Sequence, residues 1–131
     1  MSENTNNVTA AELAKLCCDL ADERKAEDIV TLEIGKVSFI ADYFVICSAN
    51  STTQLAAVQS RVERGVREKI DRRPLTVEGD PMSGWVLLDF GAVVVHIMTK
   101  EMRERYQVEK LWGDAPSDEV RQALQNFRPE Q

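Results

Sequence analysis

The chain has a single histidine, His96, among its 131 residues, and that scarcity removes much chemistry at once. A general base needs an orienting partner and a nucleophile or substrate proton within reach. No GxSxG, no Cys-Gly signature and no second histidine accompanies His96, and one histidine cannot begin an HExxH metal site. Cysteine is scarce too. Cys17, Cys18 and Cys47 form no CxxC or ligand-spaced set, and their odd number argues against a disulfide framework. Two of them fall at apolar positions of expected elements, which reads as buried thiols in a reducing compartment, with the cytoplasm as the expected location. No apolar run approaches the roughly 18 residues that span a bilayer. The N-terminal MSENTNNVTAAE lacks the basic region and apolar core of a secretory signal and is too acidic for a usual transit peptide. Basic charge is in deficit as well, with a formal net charge of −6. General nucleic-acid binding, which neutralises phosphates with Lys and Arg, is disfavoured, and a basic protein partner suits the chain better. Walker A and GxGxxG loops are missing.

What is present suffices for one soluble domain, with 44% of residues hydrophobic and 29% charged. Residues 1–8 read as a flexible polar tail. Thr9-Ala10-Ala11-Glu12 fits a capping box, and Leu13, Leu16, Cys17, Leu20 and Ala21 follow at helical spacing to an end near Arg24. IVTLEI (29–34) and ADYFVICS (41–48) read as strands joined by a turn containing Gly35. The second is almost wholly apolar, which predicts a central strand covered on both faces. Ser51-Thr52-Thr53-Gln54 is a second capping-box candidate, opening a helix with the stripe Leu55, Val58, Val62, Val66 and Ile70. Its other positions mix Arg61, Arg64, Arg67 and Lys69 with Glu63 and Glu68, which reads as a solvated face. RRPLTVEGDPMSG holds a short strand and then a loop. WVLLDF (85–90) and VVVHIM (93–98) flank a hairpin signal at Gly91-Ala92. KEMRERYQVEKLW reads as a short helical closure. The order predicts an α/β fold over residues 9–114, a single mixed β-sheet with packed helices. Ser117 caps an expected helix with Val120, Leu124 and Phe127, in a C-terminal extension over 115–131.

Alternation along the hairpin puts Trp85, Leu87 and Asp89 on one face, with Val86, Leu88 and Phe90 on the other. Val94, His96 and Met98 likewise share a face. Asp89 in the Trp85 row points to partial exposure. A patch of Trp85, Leu87, His96 and Met98 rimmed by acids has the makeup of a protein interface. Trp85 fits equally as a core residue beneath a helix. The plain reading of His96 is a strand residue, hydrogen-bonded or half-exposed. Two-metal chemistry needs carboxylates converging on ions about 4 Å apart. Asp42 has Phe44 at i+2, and Glu78 and Asp80 flank Gly79 in what reads as an acidic loop, so catalysis and metal binding are not expected.

Four segments in order, KAEDIVTLEI, ADYFVICSANSTTQL, EGDPMSGWVLLDFGAVVVHIM and RERYQVEKLW, make the chain resemble the ribosomal silencing factors, the RsfS or Iojap family. The resemblance runs from about residue 12 to residue 113. It implies a nucleotidyltransferase-like fold lacking the catalytic carboxylates, with no cofactor. It also implies binding to ribosomal protein L-fourteen on the large subunit, which blocks joining of the small subunit and represses translation. Some members form homodimers. The functional strand pattern falls on Trp85, Asp89, Phe90 and His96, with Met98 beside them and the acidic segment on Glu78 and Asp80. One departure is Ala92, where the family commonly has an acid. Two other classes compete: a residual nucleotidyltransferase using Glu78, Asp80 and Asp89, and an RNA-binding module using the basic residues of the second helix and of 100–105. Within the silencing-factor reading, Trp85 is the exposed anchor and His96 a surface-strand residue, while Trp112 acts as a core or closure residue.

Overall fold

A computed structural model describes residues 7–36 and 39–110. The expectations for residues 1–6 and 111–131, Trp112 and the Ser117-capped helix included, lie outside the described residues. The element order is the one the sequence predicts: α1 (Ala10–Glu23), β1 (Glu27–Glu33), β2 (Tyr43–Ala49), α2 (Thr52–Ile70), β3 (Thr76–Asp80), β4 (Trp85–Asp89), β5 (Val93–Thr99) and α3 (Lys100–Tyr106). A single 3-10 turn, Pro81–Ser83, joins β3 to β4. The strands form one mixed sheet in the order β1-β2-β5-β4-β3. Only β2 and β5 run parallel; the other neighbours are antiparallel.

Local chemistry explains the boundaries. Thr9 accepts from Glu12 N at 3.0 Å while the Glu12 carboxylate accepts from Thr9 N at 2.9 Å, so the first capping box is real. At α2 only half of the box forms, because Ser51 Oγ accepts from Gln54 N. The Gln54 side chain turns away instead. It accepts from Asn50 N at 2.7 Å and donates to the carbonyls of Arg24 and Lys25, ending α1 from a distance. Gly91 takes φ 91° in the β4–β5 turn, a conformation only glycine adopts without strain, and its N–H donates to Asp89 Oδ1 at 2.8 Å.

Apolar side chains cover both faces of the sheet. On one, α1 and α2 pack over Val45, Cys47, Val86, Leu88, Val93, Val95 and Ile97. On the other, Phe44, Ile46, Trp85, Leu87, Val94 and Met98 are roofed by Ile34, Ala41, Val108 and part of α3. Strand β2 is buried along nearly its whole length, the expected central strand. Cys17 and Cys47 are buried in the helix-side core, and burial pushes both thiols up to about 12. Among the described residues no helix is long and apolar enough to cross a membrane.

Candidate functional site

The β3–β4 ladder carries most of the residues singled out above, and it corrects several expectations. Glu78, Gly79 and Asp80 are not a loop: they are the last three residues of β3, paired with Leu87, Val86 and Trp85. Asp80 ends the strand and caps the 3-10 turn, accepting from Ser83 N at 3.0 Å. Because Thr76 pairs with Asp89 and Asp80 with Trp85, the two aspartates sit at opposite ends of the ladder. Four residues of strand separate them, about 13 Å. Glu78 lies between them and is 7% exposed. The three carboxylates therefore form a row along the sheet margin, and they do not converge as a two-metal site requires. Among the described residues no group of His, Cys, Asp and Glu is placed to hold a metal ion. An open cleft of about 610 Å³ lies where the carboxyl ends of β2 and β5 meet, lined by Thr52, Met82, Thr99, Glu101, Glu104 and Arg105 among others. Nucleotide sites in α/β sheets favour that position, but none of the three acids lines it.

Trp85 is not an exposed anchor. It is 2% exposed, and His96 and Met98 are wholly buried. Leu87 pairs with His96 across β4 and β5, which makes Trp85 and His96 diagonal neighbours within reach of each other. The Trp85 indole Nε1–H donates to His96 Nδ1 at 3.2 Å, so the neutral imidazole carries its proton on Nε2. Phe44 lies against His96 with ring centroids 4.5 Å apart, and Tyr106 of α3 lies 5.3 Å from Trp85. Burial pushes the His96 pKa down to about 3, because no opposite charge compensates the desolvated imidazolium. His96 is thus a buried hydrogen-bond acceptor rather than a surface-strand residue. Phe90 is buried too, but among the helix-side residues, on the opposite face from Trp85. Asp89 sits where β4 ends, so its partial exposure belongs to the margin and does not extend along the Trp85 row.

What the structure exposes instead is the outer edge. Among the described residues β3 is last in the strand order, with β4 as its strand neighbour, and Leu75 and Val77 are 73% and 42% exposed beside it. Met82, in the 3-10 turn that follows, is 82% exposed. No pattern in the sequence marked these three: Val77 is exposed because β3 is last in the described strand order, and Leu75 and Met82 because they lie in the segments that flank it. Asp80 is exposed and Asp89 half-buried; with Glu78 they stand on the Trp85 face of the sheet, whereas Val77, opposite Leu88, stands on the helix face of the same strand.

At the other end of β5, α3 is fastened down. Arg103 donates to both Glu109 oxygens at 2.8 and 2.9 Å and to Ser48 Oγ at 2.8 Å. The Arg103 guanidinium holds the Glu109 carboxyl below the usual carboxylate range. Glu109 lies in the segment RERYQVEKLW, and its bonds to Arg103 latch α3 over the Trp85 face.

The family model described as "Ribosomal silencing factor during starvation" matches residues 7–131. The chain belongs to the ribosomal silencing factor family. The match runs through residues 115–131, past the end of the sequence resemblance. The ribosomal silencing factor RsfS of Halalkalibacterium halodurans is 42% identical over 83% of this chain and 92% of its own length. A Mus musculus relative named "Mitochondrial assembly of ribosomal large subunit protein 1" is 37% identical over 71% of this chain and 42% of its own length. A crystal structure of a Chromobacterium violaceum protein superposes with a TM-score of 0.77 at 30% identity, covering 80% of this chain and 87% of that one. Two of the segments that carry the resemblance hold helix ends in this chain: Ser51 and Gln54 at α2 and α1, and Glu109 at α3.

Proposed function

We propose that this chain silences ribosomes by binding ribosomal protein L-fourteen on the large subunit through the β3 edge, blocking the small subunit by occupancy. The observation that carries the reading is the exposed apolar set Leu75, Val77 and Met82, on and beside a strand whose other face carries Asp80 and the buried Glu78, with Asp89 next to it on β4. A basic ribosomal protein complements such a margin, and opposite potentials speed encounter. Trp85, Phe90, His96 and Met98 support this face from beneath by keeping β4 and β5 rigid. The protein works as a regulator in the cytoplasm and needs no turnover, cofactor or metal for this role. A second copy competing for the same edge is an alternative occupant that dilution would remove.

The test is reassociation of salt-washed subunits on a gradient, with and without the protein. Separated subunits and co-migration with the large one are expected. Full reassociation despite bound protein overturns the occlusion reading. Val77→Lys is expected to weaken binding to isolated L-fourteen by tenfold or more, since truncated or mismatched interface centres cost about 2 kcal/mol. Unchanged binding in a normally folded variant removes β3 from the interface.

A further inference from the structure

The chain is acidic overall, yet residues 61–73 hold six basic and three acidic side chains. The structure separates these into used and unused charges. Arg61 is engaged by Glu23 at 2.7 Å and by Glu68 at 3.5 Å. Glu63 accepts from Gln59 at 2.9 Å. Arg64, Arg67, Lys69, Arg72 and Arg73 make no ion pair among the described residues. All are exposed except Arg72, which is half-buried, and the carboxylates without an ion pair among the described residues of this stretch are Glu63 and Asp71. Asp71 ends α2 with φ 56°, and its backbone N–H donates to Arg67 O.

A structural duty accounts for only part of this patch. Cations in a helix's last turn complement its dipole, which covers Arg67 and Lys69. The effect fades within that turn, so Arg64 lies too early, and Arg72 and Arg73 lie beyond the helix. The apolar stripe of α2 is buried against the sheet, so the helix offers no amphipathic face to a lipid surface. Four of the five cations are arginines, whose forked guanidinium matches phosphate oxygens. No exposed aromatic stands among them to stack on bases, which points to backbone contact without sequence reading. From Arg73 the chain passes through Pro74 directly into Leu75 and β3.

We propose that Arg64, Arg67, Lys69, Arg72 and Arg73 form a second contact surface that lies on ribosomal RNA phosphates beside the L-fourteen site. This surface rests on the silencing reading above, because that reading brings the end of α2 to the large subunit. Acid and base then divide the labour: the β3 margin meets basic protein and the end of α2 meets the RNA around it.

The experiment compares wild type with Arg72→Gln/Arg73→Gln and with the quadruple variant that adds Arg64→Gln and Arg67→Gln. Three probes are used: salt-washed large subunits, purified large-subunit ribosomal RNA and isolated L-fourteen. Each phosphate contact contributes about 0.7 to 0.9 to the slope of log affinity against log salt. The quadruple variant should therefore bind subunits with a slope shallower by about 3, while its affinity for isolated L-fourteen stays within about twofold. Naked RNA should retain wild type at low salt and release the variant. Equal slopes overturn the proposal, as does an equal loss on isolated L-fourteen. Loss on subunits with no wild-type affinity for naked RNA assigns the patch to an acidic protein segment and also overturns it. A slope difference on RNA that survives while wild type ignores L-fourteen sinks the silencing interface but keeps this surface. No wild-type binding to subunits ends both. Should the helical substitutions lower the melting temperature, the pair at 72 and 73, outside the helix, decides alone.

Discussion

The two faces of the sheet are both buried, but they are built differently. The helix side is close to pure aliphatic packing: α1 and α2 lay Leu13, Leu20, Leu55, Val58 and Val62 over Val86, Leu88, Val95 and Ile97. The opposite side is aromatic and carries polar atoms inside it. Trp85 donates to a fully buried histidine, and Tyr106 rests on the indole. Arg103 crosses from α3 to Ser48. Two long amphipathic helices can cover a sheet with shape alone. A seven-residue helix and a connecting segment cannot, so this side adds directional bonds to fix its roof. The side without long helices is also the one next to the acidic margin, where a partner needs space.

The comparison breaks most clearly at Trp85. If the aromatic side is core, Trp85→Ala costs about 3 to 5 kcal/mol of folding stability, as large aromatic truncations do. That is a large share of a domain's roughly 5 to 15. Denaturant unfolding should show it directly. A loss below about 1 kcal/mol would mean this side is a cover rather than a core. Leu88→Ala on the helix side should cost a similar amount, about 2 to 5 kcal/mol.

Acid should separate the faces next. His96 titrates near 6.5 when unfolded and at about 3 when folded, because burial disfavours the imidazolium. Between those values the unfolded chain binds the extra proton, so this residue's contribution is intact above pH 6.5 and is lost as pH falls toward 3. The slope approaches about 1.4 kcal/mol per pH unit. A His96→Phe variant should show a flatter stability profile between pH 6 and 4 than wild type. Parallel profiles would place the acid sensitivity elsewhere.

The smallest effect tests the aliphatic side. A Cβ on Gly65 of α2 would collide with the Leu20 side chain of α1, reaching 2.9 Å even at Cγ. Leu20 is 1% exposed and has nowhere to turn. Gly65→Ala should gain about 1 kcal/mol of helix propensity and lose about 1 to 3 to overpacking, leaving a net loss between about 0 and 2. A net gain, read by the denaturation midpoint, would mean the helices can slide apart freely.

The fold was legible where periodicity and caps act locally. Thr9 and Glu12 mark α1, and the alternation in VVVHIM marks β5 with the correct residues on each face. The SxxQ pattern was legible as a helix start, though Gln54's reach to Arg24 and Lys25 was not, since those carbonyls lie about thirty positions earlier in the chain. Sidedness was also correct: Trp85, Leu87, His96 and Met98 do share one face. What that face meets was misjudged. Alternation tells which side chains point together and is silent on whether water, a helix or α3 lies above them.

By itself the sequence determined the elements, their order, the acidic balance and the family, because capping, period and motif are properties of near neighbours along the chain. Only the tertiary structure decided that β3 is last in the order of the described strands, that Leu75, Val77 and Met82 face outward, and that α3 roofs the Trp85–His96 pair. It also decided which charges of α2 lack an ion pair among the described residues. Each of these depends on strand order and on ion partners distant in sequence, and burial is a property of the closed fold that no local pattern encodes.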